Sequence, residues 1–491
     1  MPELSHSGTD MQHGVFTFLH MSSDTSQGTR HTPPKAAAPD RLEVVTTPDA
    51  AVGTMDAPRP GRWVDVWNPQ DEAQWEGGGR AVARRNLWWS IAAEFLGFTV
   101  WQLWSIATPV LIAAGYPITT DQALWLVSVP VLVGATMRFP YSFAVAKFGG
   151  RNWTIISALL LIIPCLGLVY VANTPGISFG LMLLIAATAG FGGGNFASSM
   201  SNISFFFPEK EKGAALGLNA AGGNIGVAVI QFVTPFLVVA GVAASTARPA
   251  YILIPLVLIA ALGAWRYMDN LSQAKSDTEA WKLAARTKHT WIVSLLYIGT
   301  FGSFIGYAAA FPLLLKTQFP DVNLGIAFLG ALIGSLARPW GGKLADRMGG
   351  ARVSIAAYAV LALGAVGAVV ALQAKSLPMF FAAFMVLFIA SGIGNGSTYR
   401  MIPAIFRGKT AMDDVDGLVR AKRIASACIG ISAGIGAYGG FLVNRGFATS
   451  TAQFGSLQPA LWSFVAFYVL CIGVTWAVYA RKGALGLSER I

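Results

Sequence analysis

Two arginines, Arg138 and Arg338, are the residues from which a chemistry can first be read. Each stands in an apolar stretch about nine residues before a basic turn, at Lys147 or Arg347, which is roughly 13 Å along a helix and close to mid-bilayer. Two such cations unbalanced by acid form a site for an anion, and the guanidinium fork of N–H donors suits a planar oxyanion. The alternative is that each arginine snorkels or pairs with backbone carbonyls. Arg400 lies nearer the end of its stretch and is expected to snorkel to the interface. Glu94, in AAEFLGF, is the one carboxylate well inside an apolar stretch. It could exchange protons, or accept a hydrogen bond near the end of the first helix.

Around these charges stand polar and aromatic candidates. Asn195, Asn224 and Asn395 carry amides that are expensive to bury without a partner, so each either binds substrate oxygens or ties helices together. Phe98, Phe196, Tyr297 and Phe301 could wall a narrow pocket, or simply face lipid and core. Cys165, Cys428 and Cys471 show no metal-ligand spacing. His6, His13, His20 and His31 lie in the N-terminal tail, and His289 stands alone at the edge of an apolar segment, so paired haem ligands are excluded. The string RGKT ending at Thr410 lacks the first glycine of a phosphate-binding loop. No nucleophile, acid–base pair, metal set or cofactor site emerges, and the chain is not expected to be an enzyme.

The elements that must position these residues follow from composition. Of 491 residues 54% are hydrophobic and 12% charged, with a mean hydropathy of +0.55, against about a quarter charged in a soluble protein. Glycine, at 54 residues, suggests helices packed closely through small side chains. Residues 1–86 read as a polar, disordered tail without a signal peptide, in which Met11, Met21 and Met55 leave the start open. Within it, WVDVWNPQDEAQWE (63–76) reads as a linker, or as a segment lying on the bilayer surface. Twelve spans of roughly 20 residues or more follow. They fall near 87–114, 121–146, 152–172, 177–206, 213–241, 248–268, 289–315, 323–345, 352–373, 377–406, 422–444 and 458–480. The layout is a six-helix bundle over 87–268, a connector over 269–288, a second six-helix bundle over 289–480 and a short tail over 481–491.

Placement of charge turns the net +11 from a nucleic-acid signal into a topological one. With the tail inside, Lys147, Arg151, Lys210, Lys212, Lys343, Arg352, Arg420 and others share its side, and only Arg248, Lys316, Lys375 and Arg445 lie opposite. That is the positive-inside pattern, with both termini cytoplasmic. A repeat supports two halves. RFPYSFAVAKFGGRN from Arg138 and RPWGGKLADRMGGAR from Arg338 share an offset of 200, as do GFGGGNFASS from Gly190 and ASGIGNGSTY from Ala390. Duplicated halves with a midplane site between them are a common plan of secondary transporters. The glycine-rich runs, with AAGGNIG (220–226) and SAGIGAYGG (432–440), would let a moving helix slide over its neighbour, or serve plain packing.

GGKLADRMGGAR (341–352) resembles the loop motif of the major facilitator superfamily between spans eight and nine. There Asp346, Arg347 and Gly349 would latch helix ends. The matching first-half loop has Ala146 in place of the acid. GFGGGNFASSMSNISFFFP (190–208) and GIGNGSTYRMIPAIF (392–406) are similar to the two signatures of its nitrate/nitrite porter (NarK-type) family. The resemblance implies an all-α membrane protein of about twelve helices in two pseudo-symmetric halves. It further implies Arg138 and Arg338 on the anion, Phe196 packed against it, Asn224 and Tyr297 as polar contacts, Phe98 and Phe301 in the aromatic pocket, and Asn195 and Asn395 in the signatures. Nitrate and nitrite would be the substrates and the lipid bilayer the surroundings, with no nucleic-acid partner. The chain would work as a monomer in the inner membrane. Uptake of an anion into an inside-negative cell costs about 2.3 kcal/mol per 100 mV. One-for-one exchange avoids that cost. Antiport is therefore expected, with proton symport through Glu94 as the alternative and a non-transporting anion sensor as a reading of another class.

Overall fold

The computed structural model describes residues 59–239, 241–408 and 414–481. The expectations for residues 1–58, for Lys409 and Thr410 and for 482–491 fall outside the described residues. Twelve helices there are long and apolar enough to cross a membrane. In chain order they are span 1 (Glu72–Ala113), span 2 (Thr120–Phe148), span 3 (Gly150–Ala172), span 4 (Phe179–Phe206), span 5 (Glu209–Leu237) and span 6 (Ala243–Tyr267). The second set is span 7 (Lys288–Gln318), span 8 (Leu324–Met348), span 9 (Gly350–Gln373), span 10 (Leu377–Arg407), span 11 (Asp416–Phe454) and span 12 (Gln458–Ala480). Large apolar side chains such as Leu184, Trp265, Leu363 and Val469 point outward, as a bundle surrounded by lipid requires.

Local chemistry sets the ends. Thr119 and Gln122 close a capping box at the start of span 2, and Ser178 and Ser376 cap spans 4 and 10. Spans 2 and 8 both stop at glycines in the left-handed half of backbone space, Gly149 (φ 85°) and Gly349 (φ 90°), where a side chain would be strained. Span 1 breaks at Gln102, and span 7 holds a π-turn over Ile298–Gly302. Both irregularities fall at the level of the arginines, where such turns often mark working positions.

The fold has two pseudo-symmetric six-helix halves, and glycine makes their matching crossings. A Cβ on Gly193 would come within 2.7 Å of Gly134 Cα where spans 2 and 4 cross. A Cβ on Gly392 would collide with the Gly334 carbonyl where spans 8 and 10 cross, about 200 residues on in both helices. Between the halves, span 2 packs along span 11, span 5 against span 8, and the later part of span 1 against that of span 7. Phe139 lies on Gly434 and Val131 against Gly440 at the first of these seams.

The expected tail boundary at 86 is corrected by the structure. Trp63–Val64 forms a short strand, β1, pairing in parallel with β2 (Asn270–Leu271) from the segment after span 6. Trp67 and Trp75 are buried, against Phe206 and Phe207 at the end of span 4, and the Trp67 indole donates to the Phe205 carbonyl at 3.0 Å. The stretch read as a linker is therefore a packed strap. Its tryptophans bury area worth several kcal/mol, which offsets part of the entropy of ordering the segment. Asp269, 1% exposed, pins the same region by accepting from Arg62 (2.6 Å), Arg85 (2.7 Å) and Asn86 (2.9 Å). The expected connector contains one helix, Thr278–Arg286.

Candidate anion-binding site

Arg138 projects from span 2 into the seam between the halves and is 1% exposed. Its Nε donates to the Gly193 carbonyl of span 4 at 3.3 Å and its Nη1 to the Ala433 carbonyl of span 11 at 3.0 Å. Nη2 is left without a partner. The cation lies among rings, with Cζ 4.8 Å from the centres of both Phe196 and Phe301 and 5.5 Å from Trp101. Pairing with carbonyls, the alternative reading of this arginine, thus accounts for two of its three nitrogens.

Arg338 approaches from span 8 and is half-buried. Its Cζ stands 5.3 Å from the Tyr399 ring and 5.9 Å from Phe196, so the Phe196 ring is shared by both cations. Nη2 reaches the Tyr297 hydroxyl at a long 3.4 Å, and Nη1 has no partner. Among the described residues no acid pairs with either guanidinium. Each has a nitrogen to spare, and the faces of the rings around them are electron-rich.

The aromatic candidates gather here. Phe98 lies 6.2 Å from Phe196 and 5.3 Å from Trp101. Tyr297 stacks on Phe301 at 5.2 Å and tilts against Tyr399 at 4.7 Å, and its hydroxyl donates to Asn395 Oδ1. Asn395 therefore ties span 10 to span 7. Asn195 reaches across to span 1, with Nδ2 3.5 Å from the Ala93 carbonyl, rather than toward the arginines. Asn224 is fully buried with neither amide atom partnered. It stands between Ala220 and Val227 on the face of span 5 that joins the cluster of Phe98, Phe196 and Phe301.

Some neighbours had no signal in the chain that singled them out. Trp101 and Tyr399 were not separable from ordinary apolar-span aromatics. Ser199 and Asn219, polar residues inside spans, meet Glu94 instead of the arginines. At the loop after span 8, Asp346 pairs with Arg400, which is 60% exposed. Arg400 does reach the surface, as expected, and it finds the motif acid there. The positions 200 residues earlier are Ala146 and Met200, so the first half lacks both partners of that ion pair.

Residues 87–412 match the family model described as Major Facilitator Superfamily. The chain is 42% identical over 442 residues to the nitrate/nitrite transporter NarU of Salmonella typhimurium, covering 85% of this chain and 96% of that protein. It is 35% identical over 452 residues to the probable nitrate/nitrite antiporter NarK2 of Thermus thermophilus, covering 86% of this chain and 98% of the relative. Among solved structures, a D-xylose-proton symporter shares the fold with a TM-score of 0.59 at 16% identity, over 80% of this chain and 96% of that one.

Proposed function

We propose a transport function from one premise: this chain belongs to the Major Facilitator Superfamily and, within it, to the nitrate/nitrite porter family. It carries nitrate and nitrite across the cytoplasmic membrane, exchanging one for the other by rocking of its two halves. The observation that carries this reading is the pairing of Arg138 and Arg338, one from each half, about a single ring, Phe196, with one unspent guanidinium nitrogen apiece. A small planar oxyanion can accept from both nitrogens while its faces lie against Phe196 and Phe301. The Asn224 amide, buried and unpartnered, supplies a further donor from span 5.

Exchange follows from electrostatics. Without an anion the two cations repel, and the halves resist closing. With one bound, the charge between them is reduced and the carrier reorients, so empty return is disfavoured. Both arginines come from one chain, which suits a working monomer. The basic ends at Lys147, Lys343 and Arg347 support an orientation with these loops, and both termini, in the cytoplasm.

Links between the halves stand on either side of the arginine level and are the contacts rocking must break. Toward one face the Gln231 amide donates to the Ala308 carbonyl at 2.7 Å and Arg445 meets Asp121 at 3.0 Å. Toward the basic face Lys422 meets Glu209 at 2.6 Å. The test is uptake of labelled nitrate into proteoliposomes preloaded with nitrite. Counterflow is expected, and its absence with the intact chain would remove both the carrier and the exchange reading.

A further inference from the structure

Away from the basic loops, beyond the arginine level, the seam between the halves holds polar groups that the site described above leaves unused. Arg445, near the far end of span 11, is one of four basic residues expected on the face opposite those loops. Arg248 donates to the Leu237 carbonyl, Lys316 to the Pro320 carbonyl, and Lys375 is exposed beyond the end of span 9. Arg445 reaches across to the other half. Its Nη2 meets Asp121 of span 2 at 3.0 Å, its Cζ stands 3.9 Å from the centre of the Trp125 ring, and its Nη1 is buried without a partner. It lies twelve residues beyond Ala433, roughly 18 Å along the helix from the carbonyl that Arg138 meets.

Asn444, its neighbour, is completely buried with neither amide atom partnered. Gly440, one turn before it, touches Val131 of span 2 and Ile305 of span 7, and Phe441 tilts against Trp125. The helix period places Asn444 between those two faces, toward the crevice of spans 2 and 7. Thr451, seven residues further along the same strip, lines a cavity of about 200 Å³, room for a small oxyanion and several waters. Thr120, Thr317 and Gln318 form its exposed rim and Leu124 and Leu313 its buried floor, so it opens away from the basic loops. Inward of it, at the break in span 1, the buried Gln102 amide also has an unpartnered nitrogen, between Phe98 of the anion site and Ser105. Donors left unpaired destabilise the closed seam. They gain partners when the seam opens and an anion or water enters.

We propose that Arg445 and Asn444 form an outer binding site for the transported anion, a small planar oxyanion held there before it passes inward to Arg138 and Arg338. The proposal rests on the carrier reading above. With the seam closed, the Asp121 carboxylate occupies the anion's place on the guanidinium, and Trp125 covers the guanidinium face. Both belong to the first half, so rocking withdraws them together and leaves a bare cation at the mouth. An anion takes the carboxylate's place, with the Asn444 amide as second donor, and Gln102 offers the next donor on the way in. One positive charge at the mouth raises the local anion concentration, while neutral amides further in bind the anion without trapping it. Closure returns Asp121 to Arg445 and empties the outer site at each cycle.

The test uses the full chain in right-side-out membrane vesicles preloaded with nitrite, with labelled nitrate added outside well below saturation. Arg445→Gln should lower initial uptake about tenfold at low ionic strength, the gap should narrow as potassium gluconate is added outside, and Arg445→Lys should recover most of the rate. Asp121→Asn removes the competing carboxylate and should raise uptake. Asn444→Leu replaces an unpartnered amide by an apolar group of similar shape, so it should melt no lower than the intact chain and still take up nitrate several-fold more slowly. Equal losses in Asp121→Asn and Arg445→Gln would reduce the pair to a gate and overturn the site, as would undiminished uptake in Arg445→Gln or in Asn444→Leu. Absence of nitrate/nitrite counterflow in the intact chain would instead strike the carrier reading beneath it, so the two failures are distinct.

Discussion

At the scale of single residues, what matters is how many donors each arginine has left. Arg138 spends two nitrogens on carbonyls and keeps one, which fixes its plane while leaving one donor free for the proposed anion. An ammonium cannot do both. Arg138→Lys should therefore lose a hydrogen bond to a charged group, about 1.5–3 kcal/mol, and reduce nitrate counterflow roughly tenfold to a hundredfold; counterflow at the original rate would show that the anion binds elsewhere. Tyr399 makes a gentler test, because its hydroxyl is unpartnered beside Arg338. Tyr399→Phe should keep transport while changing the ratio of nitrate to nitrite affinity, read by competition in the same vesicles. The arginines were legible in the chain because charge is rare inside apolar spans and their spacing repeats. Their aromatic partner Tyr399 was not, because rings are common there and only the packing of span 10 on span 7 selects this one.

At the scale of elements, the glycine crossings carry the argument. Gly392→Ala places a methyl on the Gly334 carbonyl, and overpacking of this kind costs about 1–3 kcal/mol, so the detergent-solubilised variant should melt lower. Gly180→Ala, with nothing within 4 Å, should be neutral or slightly stabilising. Equal melting points would mean that the crossing yields, and that glycine serves motion more than packing. Hydropathy located all twelve spans to within a few residues at most ends, because a run of apolar residues in lipid has few alternatives to a helix. It missed the early start of span 1. Arg80, Arg84 and Arg85 read as a boundary, yet the helix runs through them while Arg80 and Arg85 find acids in Glu76 and Asp269.

At the scale of the molecule, charged contacts tie the halves and the connector together at the basic face. Asp277 at the start of the connector helix accepts from Arg423 of span 11 at 2.5 and 2.9 Å, and that guanidinium holds its carboxyl below the usual value of 3.8. A lowered folded value means the link is present above the ordinary carboxylate range and is lost only as pH falls through the lower one. The difference in melting temperature between the intact chain and Arg423→Ala should thus stay constant from about pH 8 to about pH 5 and close only in stronger acid. A difference that closes near neutrality would point to another partner. The duplicated plan was visible in the repeats. The departure from it was visible only in part, since Ala146 announced a missing latch but not what replaces it.

The replacement is the strap. Asn270, the first residue of β2, lies against Gly149 and accepts from the backbone N–H of Asn152, so a segment outside the duplication braces the loop whose own acid is gone. The two halves are consequently not interchangeable parts. A chain shortened to its first hydropathic boundary near residue 87 would keep every predicted span yet lose β1, Trp67 and Trp75, whereas a fusion joined upstream of residue 59 would leave them in place. Anyone trimming this carrier for expression, or grafting its first half onto another, has to carry those few dozen residues along.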